Sequence, residues 1–323
     1  MPFEVLAFFQ QSLPRESDGK NDQISLPMLL CMLREVLEPN NSSSIKLHPK
    51  FEIPLPIPKS FQCKRVYVDV HSCNGLFHMR WSIDRDISFV CNPITGEFIR
   101  LPKHPPILTP CEQISWCFGF HPKTNQYKIM RIHIFKHDHR IVVQMHTVGT
   151  STWINIEVDY PNHLIYVFEH PTCFNGALHW IGRDVDRNAT VWTFNFDTEQ
   201  FQFFSNTPRG QGKDCIVDFK DSLCFMYFNE LLVLMWMMER YRVGESWTPI
   251  FQYSITTSQL PSCIAYHDSE NQEFWIFGTP WHDIKIHGKF QMVRLVPTLI
   301  PLKNIIIGDN VKVQNIYSLD NLN

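Results

Sequence analysis

The sequence predicts an all-β protein, a β-propeller of about six four-stranded antiparallel blades. Three observations carry this. Apolar residues alternate with polar ones at period two, hairpin turn motifs recur between them, and similar units return at a spacing near 50 residues. Alternation buries one side-chain face of a strand. Radial repetition of such sheets covers each greasy face with the next and leaves only short edges.

The first segment, residues 1–45, departs from that pattern. From Pro27 the leucine-rich stretch Leu26-Pro27-Met28-Leu29-Leu30 through Leu37 reads as a short amphipathic helix that stops before Pro39. Residues 40–44 read as a linker. The body of the protein, residues 46–323, is then one propeller domain.

Alternation begins near residue 62. Val66, Val68 and Val70 alternate with Tyr67, Asp69 and His71; Ile154, Ile156 and Val158 with Asn155, Glu157 and Asp159; Trp192, Phe194 and Phe196 with Thr193 and Asn195. Asn-Gly, a pair that readily adopts positive φ, sits between apolar runs at Asn74-Gly75 and Asn175-Gly176 and predicts tight hairpins. A second turn places Thr three residues before an aromatic, in Asn92-Pro93-Ile94-Thr95-Gly96-Glu97-Phe98, His121-Pro122-Lys123-Thr124-Asn125-Gln126-Tyr127 and Asp197-Thr198-Glu199-Gln200-Phe201. The blades are expected at 62–102, 112–158, 168–206, 213–253 and 260–300. A sixth would be made from 304–320 and the segment around 45–60, because an open ring would leave strand edges unpaired.

Composition excludes several classes. Lys plus Arg number 29 against 32 Asp plus Glu, a net charge of −3, which lacks the basic face of a nucleic-acid protein. The longest apolar run, Leu231–Met238, is far shorter than the roughly 20 residues of a membrane helix, so no membrane association is expected. The ten cysteines include no C-x-x-C pair, and the start of the chain has no signal-peptide pattern, so reduced thiols in the cytoplasm or nucleus are expected.

Several runs together resemble one family. Ser72-Cys73-Asn74-Gly75-Leu76 with Cys91-Asn92-Pro93-Ile94-Thr95-Gly96 and Leu101-Pro102 is similar to the opening blade of the plant F-box-associated domain. Phe118-Gly119-Phe120-His121-Pro122 with Asn125-Gln126-Tyr127-Lys128, and Val148-Gly149-Thr150 with Trp153, resemble its next elements. Phe174-Asn175-Gly176-Ala177-Leu178-His179-Trp180, Phe194-Asn195-Phe196-Asp197 and Trp236 through Trp247 follow in the same order. The type 1 and type 3 patterns both fit, with Glu245-Ser246-Trp247 leaning to type 1. The resemblance implies a kelch-like propeller that holds a protein substrate for an SCF ubiquitin ligase, reached through an F-box that docks on a Skp-type adaptor. Leu26-Pro27 faintly resembles an F-box start, but the remaining helices and the Cys/Ser-Lys-x-Trp element are missing before residue 62, so an intact F-box is not expected. A binding protein without a ligase role is the alternative.

In each blade the Asn-Gly turns and most of the Thr turns fall at one end of the sheet. The b–c and d–a loops fall at the other, and they carry charge that does not repeat. Binding usually resides in such loops on a rigid scaffold. Trp81, Arg85, His137, His139, Arg183 and Arg187 are the candidate partner contacts.

Catalytic and metal chemistry find no foothold in the sequence. His133, His137 and His139 sit on strand-like flanks, which favours a hairpin over a metal site. No G-x-S-x-G elbow, phosphate loop or H-E-x-x-H occurs. A propeller glycosidase would need paired carboxylates. Asp69, Glu112, Asp218 and Asp268 share no setting in the repeats, and the Ser-x-Asp-x-Gly-x-x-Trp box is absent. No catalytic residue, cofactor or metal is expected. Trp153, Trp180, Trp192, Trp236, Trp247 and Trp275 are expected to pack between blades.

Overall fold

The computed structural model describes residues 5–10, 12–14, 25–32, 48–54, 65–81, 88–107, 111, 113–135, 140–157, 164–165, 171–184, 188–204, 207–208, 213–219, 221–228, 232–254, 263–268, 273–278, 290–295, 298–306 and 311–315. These residues are antiparallel β-strands with two short 3-10 turns, and they fall into two compact units.

The first unit takes in residues 1–103 and 261–323. Its strands are β1 (Val5–Gln10), β2 (Ser12–Pro14), β3 (Ser25–Met32), β4 (His48–Pro54), β5 (Arg65–Cys73), β6 (Leu76–Trp81), β7 (Ser88–Cys91) and β8 (Glu97–Arg100), with further strands late in the chain. The second unit, residues 104–260, holds three sheets in sequence order. They are β9 (Gln113–His121) to β12 (Trp153–Glu157) through β10 (Gln126–Phe135) and β11 (Arg140–Thr147); β13 (Leu164–Ile165) with β14 (Thr172–Phe174), β15 (Ala177–Asp184), β16 (Ala189–Asn195) and β17 (Gln200–Phe204); and β18 (Lys213–Phe219), β19 (Ser222–Phe228), β20 (Leu232–Met238) and β21 (Trp247–Ser254). Back in the first unit, β22 (Cys263–Asp268) pairs with β23 (Glu273–Gly278), and β24 (Phe290–Leu295) and β25 (Val313–Asn315) follow.

The second, third and fourth predicted blades therefore stand within a few residues of their expected limits. The turns explain why. Asn74-Gly75 (φ 46° and 83°) and Asn175-Gly176 (φ 48° and 71°) put two successive residues in the left-handed region, the backbone of a two-residue hairpin whose twist matches its strands. Two of the three Thr turns are built on their asparagines. Asn92 Oδ1 accepts from the amides of Ile94 and Thr95 at 2.9 and 3.3 Å, and Asn195 Oδ1 accepts from those of Asp197 and Thr198 at 2.7 and 3.3 Å. The left-handed residue that closes each turn is Gly96 (φ 72°) in one and Glu199 (φ 53°) in the other.

Two expectations are corrected at the chain's ends. Residues 25–32 form β3, not the start of a helix; the rest of that predicted helix lies outside the described residues. A short apolar run does not distinguish strand from helix by its spacing, and here β3 gains partners on both sides, β1 and β4. Its register shifts between Met28 and Leu29, a bulge beside Pro27, where a missing N–H costs the ladder least. The sixth sheet is also composed differently, in the order β24-β1-β3-β4. Residues 48–54 join it as expected. Its late strand is β24, which the sequence places in the fifth blade, while residues 313–315 run along β8 instead.

Within the second unit the sheets bury their faces on their sequence neighbours. Met130, Ile132, Val143 and Met145 of one sheet share a core with Leu178, Trp180, Trp192, Phe194 and Phe196 of the next. The opposite face of that second sheet, through Val191, packs with Ile216, Leu223, Phe225, Tyr227 and Met238 of the third, and Trp236 and Trp247 border this cluster. Four of the predicted tryptophans thus pack between sheets. Trp153 lies instead on the other face of the first sheet, 6.1 Å from Trp116 and 5.0 Å from His146, ring to ring. The side chain of Trp275 lies outside the described residues.

The glycine of Phe118-Gly119-Phe120 has a packing reason. A Cβ on Gly119 would stand 2.7 Å from Phe196 Cζ and 3.1 Å from Leu178 Cδ2, both part of the buried core between the two sheets. Gly119→Ala is expected to destabilise by about 1–3 kcal/mol through overpacking, read as a lower urea midpoint with an unchanged slope.

Candidate protein-binding ends of the sheets

An antiparallel sheet of four strands presents its b–c loop at the end opposite its a–b and c–d turns. The structure fixes where those loops start. β6 ends at Trp81, whose backbone pairs with Val68; β10 ends at Phe135 and β11 resumes at Arg140; β15 ends at Asp184 and β16 resumes at Ala189. Arg85, His137, His139 and Arg187 lie in these loops, outside the described residues, as does the side chain of Trp81. His133 stands on β10, buried, with its Nδ1 3.4 Å from Cys111 Sγ.

Arg183 is the one predicted contact whose side chain is described. It is ion-paired with Asp214 at the start of β18, which ties the end of one sheet's b strand to the first strand of the next. Burial pushes the Asp214 carboxyl above its ordinary range, and the Arg183 charge and hydrogen bond oppose that rise. Arg80 and Asp69 form a similar pair across β5 and β6, near the same end of their sheet. Sequence reasoning missed both aspartate partners, which lie 11 and 31 residues away from their arginines.

A row of side chains in the second unit, buried except for Asn155 at its end, also escaped notice. Trp116, Arg131, Gln144 and Asn155 face one another across β9 to β12. The Arg131 guanidinium lies 5.3 Å from the Trp116 ring, donates to Gln144 Oε1 at 3.3 Å and reaches His104 Nδ1 at 2.5 Å. Gln144 in turn donates to Pro105 O and Asn155 Oδ1, each at 3.3 Å. These bonds hold residues 104–105 against the sheet and satisfy a charge that would be costly if left alone. Strand alternation puts Arg131 opposite the apolar Met130 and Ile132, a legible hint only once the register is known.

Of the carboxylates weighed for catalysis, Asp69 is ion-paired with Arg80 and Asp218 stands on β18, while Glu112 and the side chain of Asp268 lie outside the described residues. Among the described residues no group of three His, Cys, Asp or Glu side chains has metal-binding geometry, and no helix is long and apolar enough to cross a membrane.

Comparison with known proteins agrees with this architecture. The putative F-box protein At1g53550 of Arabidopsis thaliana is 28% identical over 165 residues, covering 47% of this chain and 40% of the relative. The F-box protein At3g07870 of the same plant is 26% identical over 224 residues, 58% of this chain and 51% of the relative. The F-box protein At2g23160, also from Arabidopsis, is 24% identical over 254 residues, 71% of this chain and 75% of the relative. The chain thus spans about half the length of the first two. Residues 30–274 match the F-box associated beta propeller domain, in its type 3 form rather than the type 1 form toward which Glu245-Ser246-Trp247 lean. With most of its length covered by that match, the chain belongs to the F-box associated beta propeller family.

Proposed function

We propose that the chain is a protein-recognition module that holds the substrate of an SCF-type ubiquitin ligase, with the b–c loops as its contact surface and no catalysis of its own. The family match across residues 30–274 carries this reading. The relatives named as F-box proteins support it. A rigid sheet scaffold that ends in charged, non-repeating loops suits recognition. The propeller domain is taken as 46–323, acting in the cytoplasm or nucleus with a protein substrate as partner.

A second reading, a binder that does not dock on a Skp-type adaptor, is favoured by β3. Leu26-Pro27, the pair that faintly resembles an F-box start, lies in a strand and not in a helix. Co-purification of the full chain with a Skp-type adaptor separates the two. Stable association is expected of a ligase receptor, and its absence at micromolar concentrations leaves only the binder.

The loops are tested separately. A partner found by proximity labelling should lose at least tenfold in affinity to the combined alanine variant at Trp81, Arg85, His137, His139 and Arg187, roughly one or two hot spots' worth. Arg183 stays native in that variant, because its ion pair with Asp214 is internal. Unchanged affinity would remove the loops as the contact surface.

A further inference from the structure

A groove of about 600 Å³ runs beside β17 in the second unit. Trp192 and Thr193 of β16, the four successive residues Phe201–Phe204 of β17, and Arg242 line it. Four strand residues span roughly 10–13 Å, the reach of an extended segment rather than of a compact ligand. Its aromatic wall is partly open to solvent: Phe203 is 48% exposed while its ring stacks on buried Trp192 at 5.5 Å. Such a ring offers area without much loss of conformational freedom on contact.

Among the described residues, Arg242 is the one charged side chain in that lining. It is held in place at some cost. Its φ of 65° is left-handed, an unfavourable conformation for a residue with a side chain. Its amide donates to Met238 Sδ at 3.1 Å, and its guanidinium carbon lies 5.2 Å from the Tyr241 ring. The loop around it is pinned by buried Ser246, whose hydroxyl lies 2.7 Å from Val243 O and 2.9 Å from Arg240 O and accepts from the Arg240 amide at 3.1 Å. Arg242 Nε is buried with no acceptor among the described residues. A desolvated donor of this kind gains from an incoming carboxylate.

We propose that this groove docks an extended segment of a partner protein that carries an Asp or Glu beside a large apolar residue, with the carboxylate on Arg242 and the apolar side chain on Phe203. The inference rests on reading the chain as a recognition module, but not on the b–c loops. An extended segment laid along an outer strand already occurs once in this chain, where β25 runs along β8. A single cation is too little for a nucleic-acid backbone, which calls for a basic track.

The test uses the full chain as bait for random dodecapeptides displayed inside a loop, so that no terminal carboxylate is offered. Selected sequences are expected to be enriched in Asp or Glu next to Leu, Ile or Phe. A capped synthetic peptide from that pool should bind at least tenfold more weakly to Arg242→Glu and to the surface variant Phe203→Ser. It should also weaken several-fold between about 0.05 and 0.5 M salt. Selection of no peptide, pools without acid enrichment, or equal binding by both variants would overturn the groove. Peptides lost instead from the loop variant and kept by Arg242→Glu would overturn it too, while leaving the recognition reading intact.

Discussion

Asn92→Ala is expected to lower stability by about 2–4 kcal/mol and to release the C-terminal segment from its sheet. Asn92 is fully buried and uses its whole amide. Its oxygen accepts from Ile94 and Thr95, and its nitrogen donates to the carbonyls of Thr298 and Ile300 at 3.0 and 3.1 Å. Alanine leaves two donors and two acceptors without that partner, around a side chain that is itself fully buried. The segment it holds then loses its anchor, although Leu302 and Ile305 are buried and the Leu302 amide donates to Glu97 Oε2 at 2.8 Å. Urea unfolding measures the first effect; hydrogen exchange at residues 298–306 measures the second. Asn195 supplies the control. It makes the same turn, is only partly buried, and uses only its oxygen in these turn bonds, so Asn195→Ala should cost about 0.5–1.5 kcal/mol. Equal effects at the two positions would sink the account.

Acid should destabilise the protein well before its carboxylates titrate, and His179 should be the main cause. The ring is buried between sheets. Its Nδ1–H donates to Thr172 O at 3.3 Å, so Nε2 accepts from the Tyr241 hydroxyl at 2.9 Å. Burial, with help from the Arg242 charge, pushes its pKa down to about 3, against the pull of the Thr172 and Ala177 carbonyls. The unfolded chain takes up a proton near pH 6.5, and the folded chain does not until about pH 3. The stability from neutral His179 is therefore complete above pH 6.5. It falls by about 1.4 kcal/mol for each pH unit below that, and levels off near pH 3. His146 is shifted the same way, chiefly by burial, and adds to the slope. Between pH 6.5 and 5 the variant His179→Gln should show a stability slope lower by close to one proton. An unchanged slope would mean that His179 titrates normally in the fold.

Much of the second unit was legible because its signals are local. Asn175-Gly176 fixes one hairpin, Asn195 fixes the next turn, and alternation in 191–196 sets which face is buried. The chain ends were less legible for a physical reason. β1 finds β24 across nearly 300 residues, and nothing within Val5–Gln10 or Phe290–Leu295 specifies that partner. Pro27 looked like a helix start because proline suits that position, yet it suits a bulge equally well. The site was legible only as loop positions. Which charges are already spent inside the molecule, as with Arg183 on Asp214, depends on a register that one sequence does not display. The groove at Arg242 joins residues 192–204 to one that lies 38 positions further on, held by a left-handed backbone that its side chain does not announce.

The burial of each sheet against its chain neighbour has a consequence for diversification. The residues that hold the second unit together sit in mid-strand, on Met130, Trp180, Phe194 and Phe225, while the b–c loops leave from strand tips. Lengthening or recharging a tip leaves those contacts in place. The tips can therefore change in length and charge without spare stability being acquired first, in a scaffold that recurs in several proteins of one plant.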